Sequence, residues 1–141
     1  MADTGTRSIE IFATPQRILE VVQDVEAYPT WMDAFKKADV IAKDDQGRPQ
    51  RASFAVDARI KTIDYTLEYS YGENRISWKK VGGDVKEITG SYALEGREAS
   101  TLVSYEYSID PGFPVPGFLR KQGVNMMVNA ALDSLKERAE S

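Results

Sequence analysis

From about residue 36 to about residue 109 the apolar side chains recur at every second position, and that period decides the fold class. Ile63, Tyr65, Leu67, Tyr69 and Tyr71 share one parity, and Thr62, Asp64, Thr66, Glu68 and Ser70 the other. Ala38, Val40 and Ala42 form a similar run, as do Phe54 and Val56, Ile76 and Trp78, Ile88, Tyr92 and Leu94, and Val103, Tyr105, Tyr107 and Ile109. Turn-forming residues separate the runs: Asp45-Gln46-Gly47-Arg48-Pro49, Gly72-Glu73-Asn74, Gly82-Gly83-Asp84 and Glu95-Gly96-Arg97-Glu98. This spacing predicts a meander of antiparallel hairpins with one apolar face to cover and one face in water.

The flanks supply the cover. Ile9 and Ile11 suggest a short first strand. Thr14-Pro15 then places a good N-cap before a proline tolerated at the first helical position, and Ile18, Val21, Val22 and Val25 fall on one helix face. A helix is expected over about 15–25, and Pro29 opens a second short one carrying Trp31, Met32 and Phe35. After a loop stiffened by Pro111, Pro114 and Pro116, residues from about 118 to 138 read as one long helix with a wide apolar stripe. The order is strand, helix, short helix, about six strands and a long helix, in a single domain over 1–141.

Composition removes several chemistries. With no Cys and no His there is no thiolate nucleophile, disulfide, imidazole base or zinc-finger ligand set. Lys+Arg 18 against Asp+Glu 22, evenly spread, leaves no basic block for phosphates, so nucleic acid is not an expected partner. No run of about 18 apolar residues is present to span a bilayer, and the N-terminus lacks signal-peptide regions, so a cytoplasmic location is expected. Asp44-Asp45-Gln46-Gly47 is too short for an EF-hand, and neither a phosphate-cradling loop nor a serine elbow occurs. Asp64, Glu68 and Glu106 lie on the solvent parity. No catalytic residue, metal ion or cofactor is therefore expected.

Ala13-Thr14-Pro15 leading into Asp24-Val25-Glu26-Ala27-Tyr28-Pro29-Thr30-Trp31-Met32, and a closing Leu132-Asp133-Ser134-Leu135-Lys136-Glu137-Arg138-Ala139-Glu140, carry a resemblance over nearly the whole chain. The chain resembles the START-like (Bet v 1-like) superfamily, and within it the polyketide cyclase/dehydrase and lipid-transport family near the coenzyme Q-binding START-like proteins. The resemblance implies an α+β helix-grip fold. In it a curved antiparallel sheet of about seven strands surrounds a long C-terminal helix, with two short helices after the first strand and a hydrophobic pocket between sheet and helix.

Parity then assigns side chains to that pocket. Phe54, Tyr65, Leu67, Tyr69, Trp78, Tyr92, Tyr105 and Tyr107 face inward, with hardly a charge in strand interiors; Lys80 and Lys86 share the parity near strand ends. Trp31 at the helix corner, Phe113 at the tip of the proline-rich segment, and Phe118, Met126 and Met127 on the long helix complete the expected lining. Each has a second reading as core packing, and the segment over about 110–118 is either a gate or a stiff connection. Gly90 either leaves room beside the helix or marks a bulge or a kink.

An apolar enclosure bearing only phenol hydroxyls and an indole N–H suits a planar, weakly polar molecule. The leading expectation is a binder or carrier of a small hydrophobic molecule such as a lipid, an isoprenoid quinone or an aromatic polyketide-like compound. The alternatives are an aromatase/cyclase-type enzyme using pocket tyrosines and a protein-interaction module. Tyrosines near pKa 10 are poor bases without a nearby cation, so an arginine or carboxylate deep in the pocket would favour the enzyme.

Overall fold

The chain forms β1 (Asp3–Ile11), α1 (Pro15–Gln23), a single 3-10 turn (Val25–Ala27), α2 (Tyr28–Trp31), β2 (Phe35–Lys43), β3 (Pro49–Asp57), β4 (Thr62–Gly72), β5 (Arg75–Gly83), β6 (Glu87–Gly96), β7 (Thr101–Asp110) and α3 (Gly117–Glu140). The structure, a computed structural model, describes residues 2–57, 61–112 and 116–141. All strand pairs are antiparallel, and the single sheet has the order β1-β7-β6-β5-β4-β3-β2. This is the α+β helix-grip architecture that the resemblance implies, built on the antiparallel meander that the hydrophobic period predicts.

Local chemistry explains the boundaries. Thr14 is extended at φ −73° and ψ 155°, and its Oγ1 accepts from the Arg17 N–H at 3.1 Å, with Pro15 opening the helix. Asp44 accepts from the N–H groups of Gln46 and Arg48 at 2.9 Å each, which tightens the turn from β2 to β3. Two elements differ from expectation. β1 is longer than Ile9 and Ile11 suggest, because its first half faces inward with Asp3, Gly5 and Arg7 rather than with aliphatic residues. Phe35 starts β2 instead of extending a helix, since Met32 is already extended and closes α2.

The core lies on the inner face. Ile11, Ala52, Phe54, Leu67, Ile76, Leu94 and Val103 come from the strands, Ile18, Val21 and Val22 from α1, and Val124, Val128, Leu132, Leu135 and Ala139 from α3. α3 is tied along β1. Arg120 pairs with Asp3 at 2.8 Å, Arg7 donates to Asn125 Oδ1 at 3.0 Å, Lys136 donates to the Glu10 carbonyl at 2.9 Å, and Glu140 accepts from the Phe12 N–H at 2.8 Å. At the opposite edge, Glu26 accepts from the Val40 N–H of β2 at 3.2 Å.

Two glycines let rings lie flat on the inner face. Gly90 stands in register with both Trp78 and Tyr107, and the pairing runs through it unbroken on both sides, so it marks no bulge. A Cβ there would meet the Trp78 indole at 2.6 Å: the room that Gly90 leaves is filled by that ring rather than opened beside the helix. Gly5, paired with Tyr107, carries the Tyr107 ring in the same way, and a Cβ there would stand 2.5 Å from its hydroxyl. Replacing Gly90 with alanine is expected to push the indole off the sheet, at a cost of about 1–3 kcal/mol. Urea unfolding followed by tryptophan emission checks this; an unchanged midpoint and spectrum would contradict the packing.

Candidate functional site

The inward aromatics form two connected groups. Under α2, Tyr28 meets Trp31 at 5.5 Å and Phe35 at 5.4 Å between ring centroids, and Phe35, Phe54 and Tyr65 follow at 5.4 Å steps. Across the middle strands, Trp78 contacts Tyr69 at 6.4 Å, Tyr92 at 5.0 Å and Tyr105 at 5.8 Å, and Tyr105 contacts Tyr92 at 4.9 Å and Tyr107 at 5.5 Å. The edge-to-face and tilted geometries place positive ring edges against negative ring faces, which favours a rigid wall over a loose one.

The polar tips of this wall separate into two kinds. Tyr28 donates to the Val22 carbonyl and Tyr71 to the Pro49 carbonyl at 2.5 Å, so both are committed to the fold. Among the described residues, the hydroxyls of Tyr65, Tyr69, Tyr92, Tyr105 and Tyr107 and the indole N–H of Trp78 have no protein partner, yet no side-chain polar atom sealed from solvent is left unpaired. These tips therefore reach accessible space from a wall whose tyrosine rings are mostly buried. A buried hydroxyl without a partner costs on the order of 1–3 kcal/mol, so such tips belong beside water or a ligand rather than in sealed packing.

The tyrosines also act on one another. Burial raises Tyr65, Tyr69, Tyr92 and Tyr105 above the ordinary phenol value of 10.0, and neighbouring phenols raise them further: Tyr105 acts on Tyr65 and Tyr92, Tyr107 on Tyr105, and Tyr28, Tyr65, Tyr71 and Tyr92 on Tyr69. No cation is among the groups acting on these four, so they stay protonated donors at neutral pH and are unsuited to act as bases.

Charge on the inner face is scarce but not absent. Arg7 is part-buried and in register with Tyr105, and Lys80 donates to the Val85 carbonyl at 3.0 Å where a register shift in β4–β5 pairs it with Leu67. The period in β1 hides Arg7, because its inward neighbour toward the N-terminus is Gly5 and no apolar alternation marks the strand there. The flanking Ile9 and Ile11 are the available signal, since Arg7 shares their parity. Lys86 projects outward, with a side-chain exposure of 71%. Glu68 pairs with Arg51 at 3.0 Å on the solvent face, and Glu106 is exposed, as the parity requires.

Not every expected lining residue joins this wall. Phe54, Leu67, Tyr69, Tyr92, Tyr105 and Tyr107 are buried on it, and Tyr65, Trp31 and Trp78 are half-buried beside it. Phe118, Met126 and Met127 are instead exposed at 74%, 52% and 42%. This corrects both readings of them, as wall and as core: the buried row of α3 runs through Val124, Val128 and Leu132, and these three residues lie off it. Phe113 lies outside the described residues. Across β1, β7, β6 and β5 runs a shallow open groove lined by Thr4, Thr6, Ser77, Thr89, Ser91 and Ser108 with Arg75 and Glu106, and at its floor by Gly5, Trp78, Gly90 and Tyr107. Among the described residues, no helix is long and apolar enough to cross a membrane.

Residues 3–140 match the family model described as polyketide cyclase/dehydrase and lipid transport. No curated protein matches the sequence significantly. Similar solved structures include a START superfamily protein from Mycobacterium smegmatis, with TM-score 0.88 and 24% identity over 97% of each chain. They include the Zhui aromatase/cyclase from a Streptomyces species, with TM-score 0.77 and 12% identity over 99% of this chain and 94% of that one. A STAR-related lipid transfer protein fragment from Xanthomonas axonopodis has TM-score 0.75 and 16% identity over 96% of this chain and 85% of that one. At these identities the likeness establishes the shared fold.

The raised tyrosines make stability depend on alkali. In the unfolded chain each ionises near 10.0 and in the folded chain above it, so their contribution is full below that pH and is lost as the pH climbs through it toward the folded values. The melting temperature is expected to be insensitive to these groups from about pH 8 to 9 and to fall above about pH 10. Tyrosinate absorbance from the buried phenols should appear together with loss of the fold; early titration of all of them in the folded protein would refute their burial.

Proposed function

Because the chain belongs to the polyketide cyclase/dehydrase and lipid-transport family, we propose that it binds and carries a small hydrophobic molecule between the inner face of the sheet and α3. A lipid, an isoprenoid quinone or an aromatic polyketide-like compound fits this reading. The observation that carries it is a wall of mostly buried rings on which five tyrosine hydroxyls and one indole N–H have no protein partner among the described residues. Rings supply apolar contact, and the hydroxyls supply hydrogen bonds to a carbonyl or ether oxygen without the cost of burying charge. Trp31, Phe54, Tyr65, Tyr69, Trp78, Tyr92, Tyr105 and Tyr107 are the contacts we assign. The composition supports placing this carrier in the cytoplasm.

Arg7, part-buried on the inner face, is a feature that favours the enzyme, whereas the tyrosines favour holding over transforming. A cyclase or dehydratase needs a base near neutral pH, whereas burial drives Tyr65, Tyr69, Tyr92 and Tyr105 the other way, and no cation offsets it at these four. Protein purified from cells and denatured is expected to release a hydrophobic compound at near-equimolar amount, identified by mass spectrometry. Candidate quinones, lipids and polyphenols should quench tryptophan emission saturably. The double variant Tyr69→Phe and Tyr92→Phe is expected to weaken carbonyl-bearing ligands about tenfold, at about 0.5–1.5 kcal/mol for each hydrogen bond lost. No released compound, together with no quenching by any candidate class, would sink the proposal.

A further inference from the structure

Arg7 is the one arginine on the inner face of the strands among the described residues, and its setting is unusual for a part-buried cation. β1 directs it inward between Gly5, which lies beneath the Tyr107 ring, and Ile9, which packs on the core. Its register partner is Tyr105. Its Nη2 donates to Asn125 Oδ1 at 3.0 Å, and among the described residues that amide is its sole hydrogen-bonding partner. Guanidinium groups removed from water normally find carboxylates, since a neutral amide answers only part of the charge.

Carboxylates are close at hand and are used elsewhere. Asp3, two positions farther out on the same face of β1, pairs with Arg120 at 2.8 Å. Glu10 accepts from Ser100 at 2.8 Å, and Glu106 faces the solvent side. A merely structural tie between β1 and α3 would be served better by an aspartate at position 125, as the Asp3–Arg120 pair shows one turn and a half earlier on the helix. With asparagine there, the guanidinium is held in place while its charge and the rest of its donor fork stay available.

From this arrangement we infer that Arg7, positioned by Asn125, is the subsite for a carboxylate on the ligand, which makes the cargo an amphipathic acid with a hydrophobic body. The inference rests on the carrier reading above. The planar fork of arginine matches a carboxylate with two parallel N–H···O bonds, and the acid completes the ion pair that the chain itself leaves open. The aromatic wall takes the body of the molecule, and the β1–α3 seam takes its head. Such a ligand enters with one defined end toward α3, so Arg7 sets orientation as well as selectivity.

The test compares delipidated protein with oleic acid and 1-pyrenebutyric acid, each beside its methyl ester, by titration calorimetry or by energy transfer from tryptophan to pyrene. At least one acid is expected to bind about tenfold more tightly than its ester, the worth of one charge-assisted interaction. Arg7→Gln should bring that acid down to the ester and leave the ester within about twofold of its original affinity. Asn125→Asp is the control for folding: it strengthens the tie to α3, so thermal stability should hold or rise, while the acid preference collapses because the new carboxylate occupies the guanidinium. Equal binding of acids and esters by the unaltered protein would overturn this inference and leave the carrier reading standing. Equal loss of acid and ester in Arg7→Gln, or an undiminished acid preference in Asn125→Asp, would also overturn it. An arginine-dependent gain seen with oleyl phosphate but with neither acid would remove the carboxylate assignment. Binding of none of the four compounds, together with no hydrophobic compound released on denaturation, would defeat both readings.

Discussion

One helix faces seven strands, and the rest of the architecture answers that mismatch. At about 4.8 Å per strand the sheet is about 29 Å wide, whereas a helix with its side chains is about 10 Å across. α3 can close only the part beside β1, where Arg120, Asn125, Lys136 and Glu140 bind it. The turn and α2 close the part beside β2, with Tyr28 wedged onto Phe35 and Phe54. α1 covers part of β6, with Pro15 against Gly96. Large rings crossing from strand to strand cover the apolar face of the middle strands between these elements.

Glycine makes that solution possible. Trp78 reaches flat over Gly90 and Tyr107 over Gly5, each pair joined directly across the ladder. A ring lying along the sheet covers a neighbouring strand while projecting little from it. Any side chain at the glycine would push the ring off the sheet. The flat aromatic wall is thus a result of this cross-strand pairing.

The legibility of the molecule in its sequence follows the same division. The strands from β2 to β7 announce themselves because one face is apolar and the other wet, so Tyr65, Leu67 and Tyr69 alternate cleanly with Asp64, Thr66 and Glu68. The first half of β1 does not, because its inward positions meet a tyrosine ring and the polar side of α3 and so carry Gly5 and Arg7. Hydrophobicity is a poor guide wherever the inner face is polar, and the charged part of the candidate site lies there. α3 fails in the opposite sense. Apolar residues occur around much of its circumference, so Phe118, Met126 and Met127 look as eligible for the interior as Val124 and Val128, and only the packed structure tells the two sets apart. Gly90 was legible as a need for space, but its occupant lies on the neighbouring strand and depends on register.

An open sheet has two unpaired borders, and here side chains occupy backbone groups at or beside each. On β1, Lys136 takes the Glu10 carbonyl and Glu140 takes the Phe12 N–H just past the strand end. On β2, Glu26 takes the Val40 N–H, three register shifts bend the strand, and Lys36, Lys37 and Lys43 stand exposed along it. Strand addition at the capped positions would cost bonds already made, and along β2 it would crowd lysine charge. The consequence concerns crowding rather than binding: a protein whose central strands are rich in tyrosine, tryptophan and β-branched residues would otherwise be a candidate for edge-to-edge polymerisation. The side chains that tie down α3 and the first turn are among the features that oppose such pairing.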